Sequence, residues 1–223
     1  GGADLIPIHH TNEIAQSEAA TGKSPFVRYW VHGQFILVDN EKMAKSKGNF
    51  YRLTDIETKG FDPLSLRYFY LTAHYRAFLN FTWDSIASAQ AALTQLRSQT
   101  SGRTILSQEK LQKVDEYRER FIEALENDLN VPQALAVVWE VVKSNIPPPD
   151  KRDLLMDFDE VLGLNLGQKL TIPQDVQKLI EQREQLRKKK KFQETDEMRK
   201  QIEEKGFIVE DTLQGVRVKK KSV

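Results

Sequence analysis

The residues best suited to chemistry lie in one short stretch, Lys42-Met43-Ala44-Lys45-Ser46-Lys47-Gly48-Asn49. It holds three lysines in six residues, small residues between them, and a Gly-Asn exit that tolerates left-handed backbone. A lysine is a point charge on a flexible stem, so such a loop suits a negative group that moves, such as a triphosphate. Charge alone is also what a solvated surface loop carries. A second pair, His9 and Glu13, is four residues apart and shares one face if a helix begins at the histidines. An imidazole nitrogen and a carboxylate oxygen at that spacing can chelate a metal ion, but two ligands are half of a tetrahedral site. A helix cap or surface pair is the plainer alternative.

The order of residues says more than their charge. KMAKS differs by one residue from KMSKS, the signature of class I aminoacyl-tRNA synthetases. Around it stand His9-His10-Thr11-Asn12-Glu13-Ile14-Ala15-Gln16-Ser17, Tyr29-Trp30-Val31-His32-Gly33 and Gly48-Asn49-Phe50. Leu66-Arg67-Tyr68-Phe69, His74-Tyr75-Arg76 and Asn127-Asp128-Leu129-Asn130 follow. In that order the chain resembles the cysteinyl-tRNA synthetase family, from about the middle of its catalytic domain to its C-terminus. The resemblance covers essentially the whole chain and thins between Thr100 and Leu170.

The resemblance implies a cysteine–tRNA ligase of protein synthesis, which activates cysteine with ATP to cysteinyl-adenylate and passes it to tRNA(Cys). Lys42 and Lys45 are then the catalytic residues, with Lys45 the principal phosphate contact. Lys42, Met43, Ala44, Lys45 and Ser46 make the loop that binds ATP, which arrives with magnesium. Ala44 stands where the family has serine, so a hydroxyl is missing while both lysines remain. His9 and Glu13 fall on the family's zinc positions, and that zinc takes the substrate thiolate because it prefers thiolate to a neutral hydroxyl. The two cysteines that would complete the site are absent from this chain. Trp30 aligns with a tryptophan of the substrate pocket; a core aromatic is the alternative. Arg67, His74 and Arg76 correspond to positions near the tRNA inner stem, with ion pairs beneath the loop as their other role. Pro7-Ile8 departs from the family's usual phenylalanine-proline pair.

These residues need elements to hold them. Thr11 or Asn12 caps a helix that Gly22 closes. Phe26 to His32 and Phe35 to Val38 are β-rich runs, which predicts a hairpin through Gly33-Gln34 with the lysine loop directly after it. Thr54 to Glu57 has capping-box spacing, and Asp62-Pro63 opens a longer helix through Tyr70. Asp84 to Gln99, Ser107 to Asn127 and Asn130 to Asn145 carry apolar residues at helical spacing. Pro147-Pro148-Pro149 breaks the pattern, and Asp150 caps a short helix through Phe158. Residues 164–171 read as a linker. Helices over 173–191 and 193–205, then a hairpin of Phe207-Ile208-Val209 and Val216-Arg217-Val218, make the tail.

The expected architecture is an α/β segment, the second half of a Rossmann-type class I synthetase catalytic domain, over residues 1–82. An α-helical bundle that braces tRNA follows over 83–163, and a small α+β anticodon-binding domain over 172–223; the whole is mainly α. The tail's Arg187, Phe192, Asp196, Arg199 and Asp211 resemble the family's anticodon contacts. Phe192, where tryptophan is usual, offers a stacking face, the carboxylates accept from base amino groups, and arginine supplies charge or paired hydrogen bonds. The run Arg187 to Lys191 is also what a helix C-terminus favours without RNA.

Composition sets the outer bounds. Net charge is +1, so any RNA contact comes from local patches rather than a global field. No apolar run approaches the ~20 residues of a membrane span, and there is no opening signal peptide. The absence of cysteine excludes disulfides and is compatible with the cytoplasm, where the family works. The chain is expected to lack the N-terminal half of the catalytic domain, including the HIGH motif, and so to be inactive alone; the full-length form is expected to be a monomer. Three alternatives stand beside this: a non-catalytic RNA-binding module, a subunit of a split synthetase, and a ligase joining cysteine to an amino sugar.

Overall fold

Regular apolar spacing in the middle of the chain produces the helices that carry its core. The computed structural model describes residues 1–100, 111–168, 172–188, 191–212 and 215–220. Within them α1 spans Thr11–Thr21, α2 Leu53–Thr58 and α3 Pro63–Leu71; α4 spans Trp83–Gln99, α5 Leu111–Glu126, α6 Val131–Lys143 and α7 Pro148–Leu162. The tail holds α8 Gln174–Lys188 and α9 Phe192–Glu204. The strands are β1 Ile36–Val38, β2 Glu41–Lys42, β3 Leu79–Phe81, β4 Phe207–Thr212 and β5 Gly215–Lys220. The protein is mainly helical with a small sheet, as expected.

That sheet has the order β2-β1-β3, with β1 antiparallel to β2 and parallel to β3. The expected hairpin through Gly33-Gln34 is not formed. Among the described residues Phe26 to His32 pairs with no strand, and the tight turn is Asp39-Asn40, between β1 and β2. Both residues take left-handed backbone, φ 50° and 64°, which a two-residue hairpin turn requires and Asp and Asn tolerate. Gly33 instead hydrogen bonds with Gly1 and Ala3, and the Gln34 N–H donates to the Tyr75 carbonyl at 2.8 Å.

Helix starts follow their caps. Asp62 accepts from the Leu64 N–H at 2.8 Å with Pro63 at the first helical position, as the sequence predicts. The box at α2 lies two residues earlier than Thr54–Glu57: the Arg52 N–H donates to Asp55 at 2.6 Å. The helix expected to be capped by Asp150 starts at Pro148, because the first turn needs no N–H partner and accepts proline.

One core joins the segment around the sheet to the bundle. Val38, Ile56 and Phe81 belong to the same buried cluster as Leu93, Val138 and Leu155. Phe121 of α5 and Phe158 of α7 stack with centroids 4.1 Å apart. The stretch read as a linker begins inside this core, since Leu164 and Leu166 are both wholly buried. Asp159 explains it by accepting from the N–H groups of both residues, at 2.7 Å each. Gly163 has φ +63°, and a Cβ there would meet the Arg67 guanidinium at 3.0–3.2 Å, so glycine is needed on both counts. The tail has a separate core of Val176, Ile202, Phe207 and Val209.

Candidate functional site

The lysine loop leaves β2 and makes a single 3₁₀ turn over Lys45–Lys47, ended by Gly48 at φ 67°. Met43 packs against the main core, which anchors the loop at its root. The Asn49 side chain closes the neck: its carbonyl oxygen accepts from the Ala44 N–H at 2.8 Å, and its NH2 donates to the Lys42 carbonyl at 3.2 Å. Lys47 is paired with Glu41 at 2.7 Å. That hydrogen bond, then the lysine charge, lowers the Glu41 pKa below the usual carboxylate range.

Lys42 and Lys45, by contrast, have no carboxylate within ion-pair distance among the described residues. Lys45 rests over the Phe50 ring, its ammonium 5.4 Å from the centroid. Beside it lies a cleft of about 510 Å³ lined by Lys45, Phe50, Tyr51, Arg52 and Asp55. Among the described residues the loop therefore presents two unneutralised cations, of which Lys45 lines the cleft, with the third lysine bound to its own acid. Sequence spacing picks out the lysines but neither the Glu41 partner nor the Asn49 clasp; Gly48-Asn49 signals only a turn.

His9 lies in a one-turn π segment, Ile6–His10, that runs directly into α1, which carries Glu13. Both side chains are exposed. Among the described residues no group of three His, Cys, Asp or Glu side chains is placed to hold a metal. The pair by itself does not fit a zinc site, and no chemical step here passes through one. Trp30 is half-buried and faces histidines: its ring lies 4.6 Å from His10 and 6.0 Å from His32, stacked on the latter. His10 Nδ1 and His32 Nε2 are 2.8 Å apart. Desolvation, then the charges of His10, the N-terminus and Arg76, lower the His32 pKa.

The three residues with a second role in ion pairs are placed as braces. Arg67 Nε donates to the Leu162 carbonyl at the end of α7. Arg76 donates to both Asp128 oxygens, at 2.7 and 3.1 Å, the Tyr75 hydroxyl donates to Asp128 at 2.6 Å, and His74 reaches the Asp128 carbonyl. These contacts hold the Asp128 carboxyl down at about 2, the Arg76 hydrogen bond first and Tyr75 second. Asp128 and Leu129 both have positive φ, so the α5–α6 turn is held in a rarely populated conformation by this clamp.

In the tail, Arg183 is buried and donates to both oxygens of Asp211, at 3.0 and 2.8 Å. Arg187 pairs with the same carboxylate at 2.5 Å. Arg183 chiefly, by its hydrogen bond, lowers the Asp211 pKa. Two of the five expected anticodon residues are thus engaged with each other, and Arg183, which spacing does not single out, organises them. Arg199 lies 3.5 Å from Glu203, one turn along α9; Asp196 sits on the same helix, and Phe192 opens it. Lys189 and Lys190 of the basic run lie outside the described residues.

Comparison with known proteins bears on all three parts of the chain. The model for the tRNA synthetases class I (C) catalytic domain matches residues 1–91, which sets the class. That for the DALR domain matches residues 120–144, and that for the cysteinyl-tRNA ligase anticodon binding domain residues 171–218. Cysteine–tRNA ligase 1 of Burkholderia lata is 41% identical over 224 residues, covering 98% of this chain and 46% of that protein. The cysteine–tRNA ligase of Leptospira interrogans is 39% identical over 245 residues, and that of Caldicellulosiruptor saccharolyticus 38% over 242; each alignment covers 99% of this chain and 52% of the relative. The chain belongs to the cysteinyl-tRNA synthetase family. It spans about half the length of the curated relatives it matches.

Proposed function

We propose that the chain works as part of a cysteine–tRNA ligase and supplies the mobile phosphate loop, the bundle and the anticodon end. The lysine loop carries this reading, because Lys42 and Lys45 have no carboxylate partner among the described residues and Lys45 lines a cleft, while Lys47 is neutralised by Glu41. In activation the cysteine carboxylate attacks the α-phosphorus of ATP, the bond to the β-phosphate oxygen breaks, and pyrophosphate leaves. Charge grows on the leaving phosphates, and Lys45, lifted from the Phe50 ring, meets it with Lys42 beside it. Met43, Ala44 and Ser46 shape the loop, and magnesium accompanies the nucleotide. The cysteinyl group then passes to the terminal ribose of tRNA(Cys), with release of AMP.

The parallel β1–β3 pair, with α2 and α3 between its strands, supports the sheet as part of a Rossmann-type domain; loops at strand ends are where such sheets bind ligands. Trp30 lines the substrate pocket and His9 with Glu13 supplies two of the zinc ligands in this reading. Arg187, Phe192, Asp196, Arg199 and Asp211 face the anticodon, with Asp211 acting by holding Arg187 in place. The setting is the cytoplasm and the complete enzyme a monomer; no described helix is long and apolar enough to cross a membrane. The anticodon-domain match over residues 171–218 favours a tRNA substrate over an amino sugar.

The test is aminoacylation. A complete synthetase containing this chain is expected to charge a tRNA(Cys) transcript with cysteine in the presence of ATP and to reject serine. Tight tRNA binding without charging would favour the RNA-binding module instead.

A further inference from the structure

We infer that Asn49 is a positioning residue for the phosphate loop, holding its neck at a fixed width so that Lys42 and Lys45 approach the nucleotide together. The inference rests on the phosphate-loop reading above and deepens it. The carboxamide spans two backbone points on either side of Met43: the Lys42 carbonyl, which ends β2, and the Ala44 N–H, which begins the 3₁₀ turn. Met43 between them packs on the core, so the clasp is referred to a rigid body rather than to another loop. Ala44 is extended, φ −149° and ψ 137°, and inside the turn only the Lys47 and Gly48 N–H groups close back, onto Ala44 and Lys45. Without Asn49 the neck would lose both of its cross-links while the turn beyond it stayed intact.

The clasp has a second consequence. It grips residue 44 through the backbone N–H, so the shape of the neck does not depend on a side-chain hydroxyl there. That accounts for alanine standing at a position where a hydroxyl would have offered a local hydrogen bond. The next residue, Phe50, takes the Lys45 ammonium over its ring, so the segment 49–50 fixes both the neck and the resting place of the principal lysine. An asparagine is suited to this because it offers an acceptor and a donor from one rigid planar group.

Two readouts test it. In the 223-residue chain, Asn49→Ala is expected to speed hydrogen exchange at the Ala44 amide by about tenfold, the scale of one lost hydrogen bond. Asn49→Asp keeps the acceptor and should retain most of that protection, while far-UV circular dichroism shows both variants folded. In the complete synthetase, Asn49→Ala is expected to lower kcat/KM for ATP in pyrophosphate exchange by about tenfold or more, with KM for cysteine unchanged. An unchanged Ala44 exchange rate, or equal losses toward ATP and cysteine, would overturn the inference. If Lys45→Ala abolishes exchange while Asn49→Ala is silent, the phosphate-loop reading stands and the clasp falls; if neither matters, the reading itself fails.

Discussion

Asp211→Asn separates two roles for one residue, and the structure says how large the effect should be. The Arg183 side chain is only 4% exposed, and its two NH2 groups donate to the two Asp211 oxygens. Removing the partner of a fully buried charge costs about 3–5 kcal/mol. Here Asp211 is 34% exposed, and Glu184 remains 3.2 Å from Arg183, so water and a second acid take up part of the loss. About 2 kcal/mol is left, which corresponds to roughly thirtyfold faster hydrogen exchange in α8, α9 and β4 without any RNA. Peptides of α4 to α7, which belong to the other core, serve as the control and should not change. The pH dependence has a definite sign: the folded pKa of Asp211 is lowered, so its contribution is present above the ordinary carboxylate pKa and lost as pH falls through the lowered folded value. Identical exchange in parent and variant would refute the strut and leave Asp211 free to read a base.

Phe192→Ala is expected to weaken binding of an anticodon stem-loop by about 1–3 kcal/mol through lost stacking, and equal affinity in a filter or fluorescence titration would remove it from the interface. The Asp128 carboxyl should titrate at about 2 in a carbon-detected NMR series; its tie to Arg76 and Tyr75 is then whole above pH ~4 and released as pH falls from there toward 2. A midpoint in the ordinary aspartate range would mean the clamp is open in solution. The chain by itself is expected to retain no stoichiometric zinc after dialysis and to show no cysteine-dependent pyrophosphate exchange, since His9 and Glu13 are two ligands where a thiolate-binding site needs three or more; one zinc per chain would overturn that.

Sequence signals suffice where the physics is local. Asp62-Pro63 caps and starts α3, Asn130 with Pro132 starts α6, and Gly22 closes α1 in left-handed backbone. Phe26 to His32 shows the limit. Its composition fits a pleated surface, but a strand exists only with a partner, and no partner is visible in spacing. Residues 164–166 fail as a linker for the same reason: Asp159 pulls their backbone into the core through bonds that composition does not encode. At the candidate site, the order of KMAKS exposes the lysines, whereas which of them is neutralised depends on the 3₁₀ turn bringing Lys47 back beside Glu41 of β2. The tail repeats this, since Arg183 and Asp211 are 28 residues apart in sequence and bidentate in space.

The most direct measurement is cysteine-dependent ATP–pyrophosphate exchange by the complete synthetase carrying Lys45→Ala. Lys45 has no carboxylate to satisfy among the described residues, is exposed and lines the cleft, so its removal should spare folding. Loss of one well-placed charge donor to the departing phosphates is expected to lower the exchange rate by about two to three powers of ten, with tRNA binding intact. Exchange at the parental rate would contradict the assignment of this loop to the triphosphate.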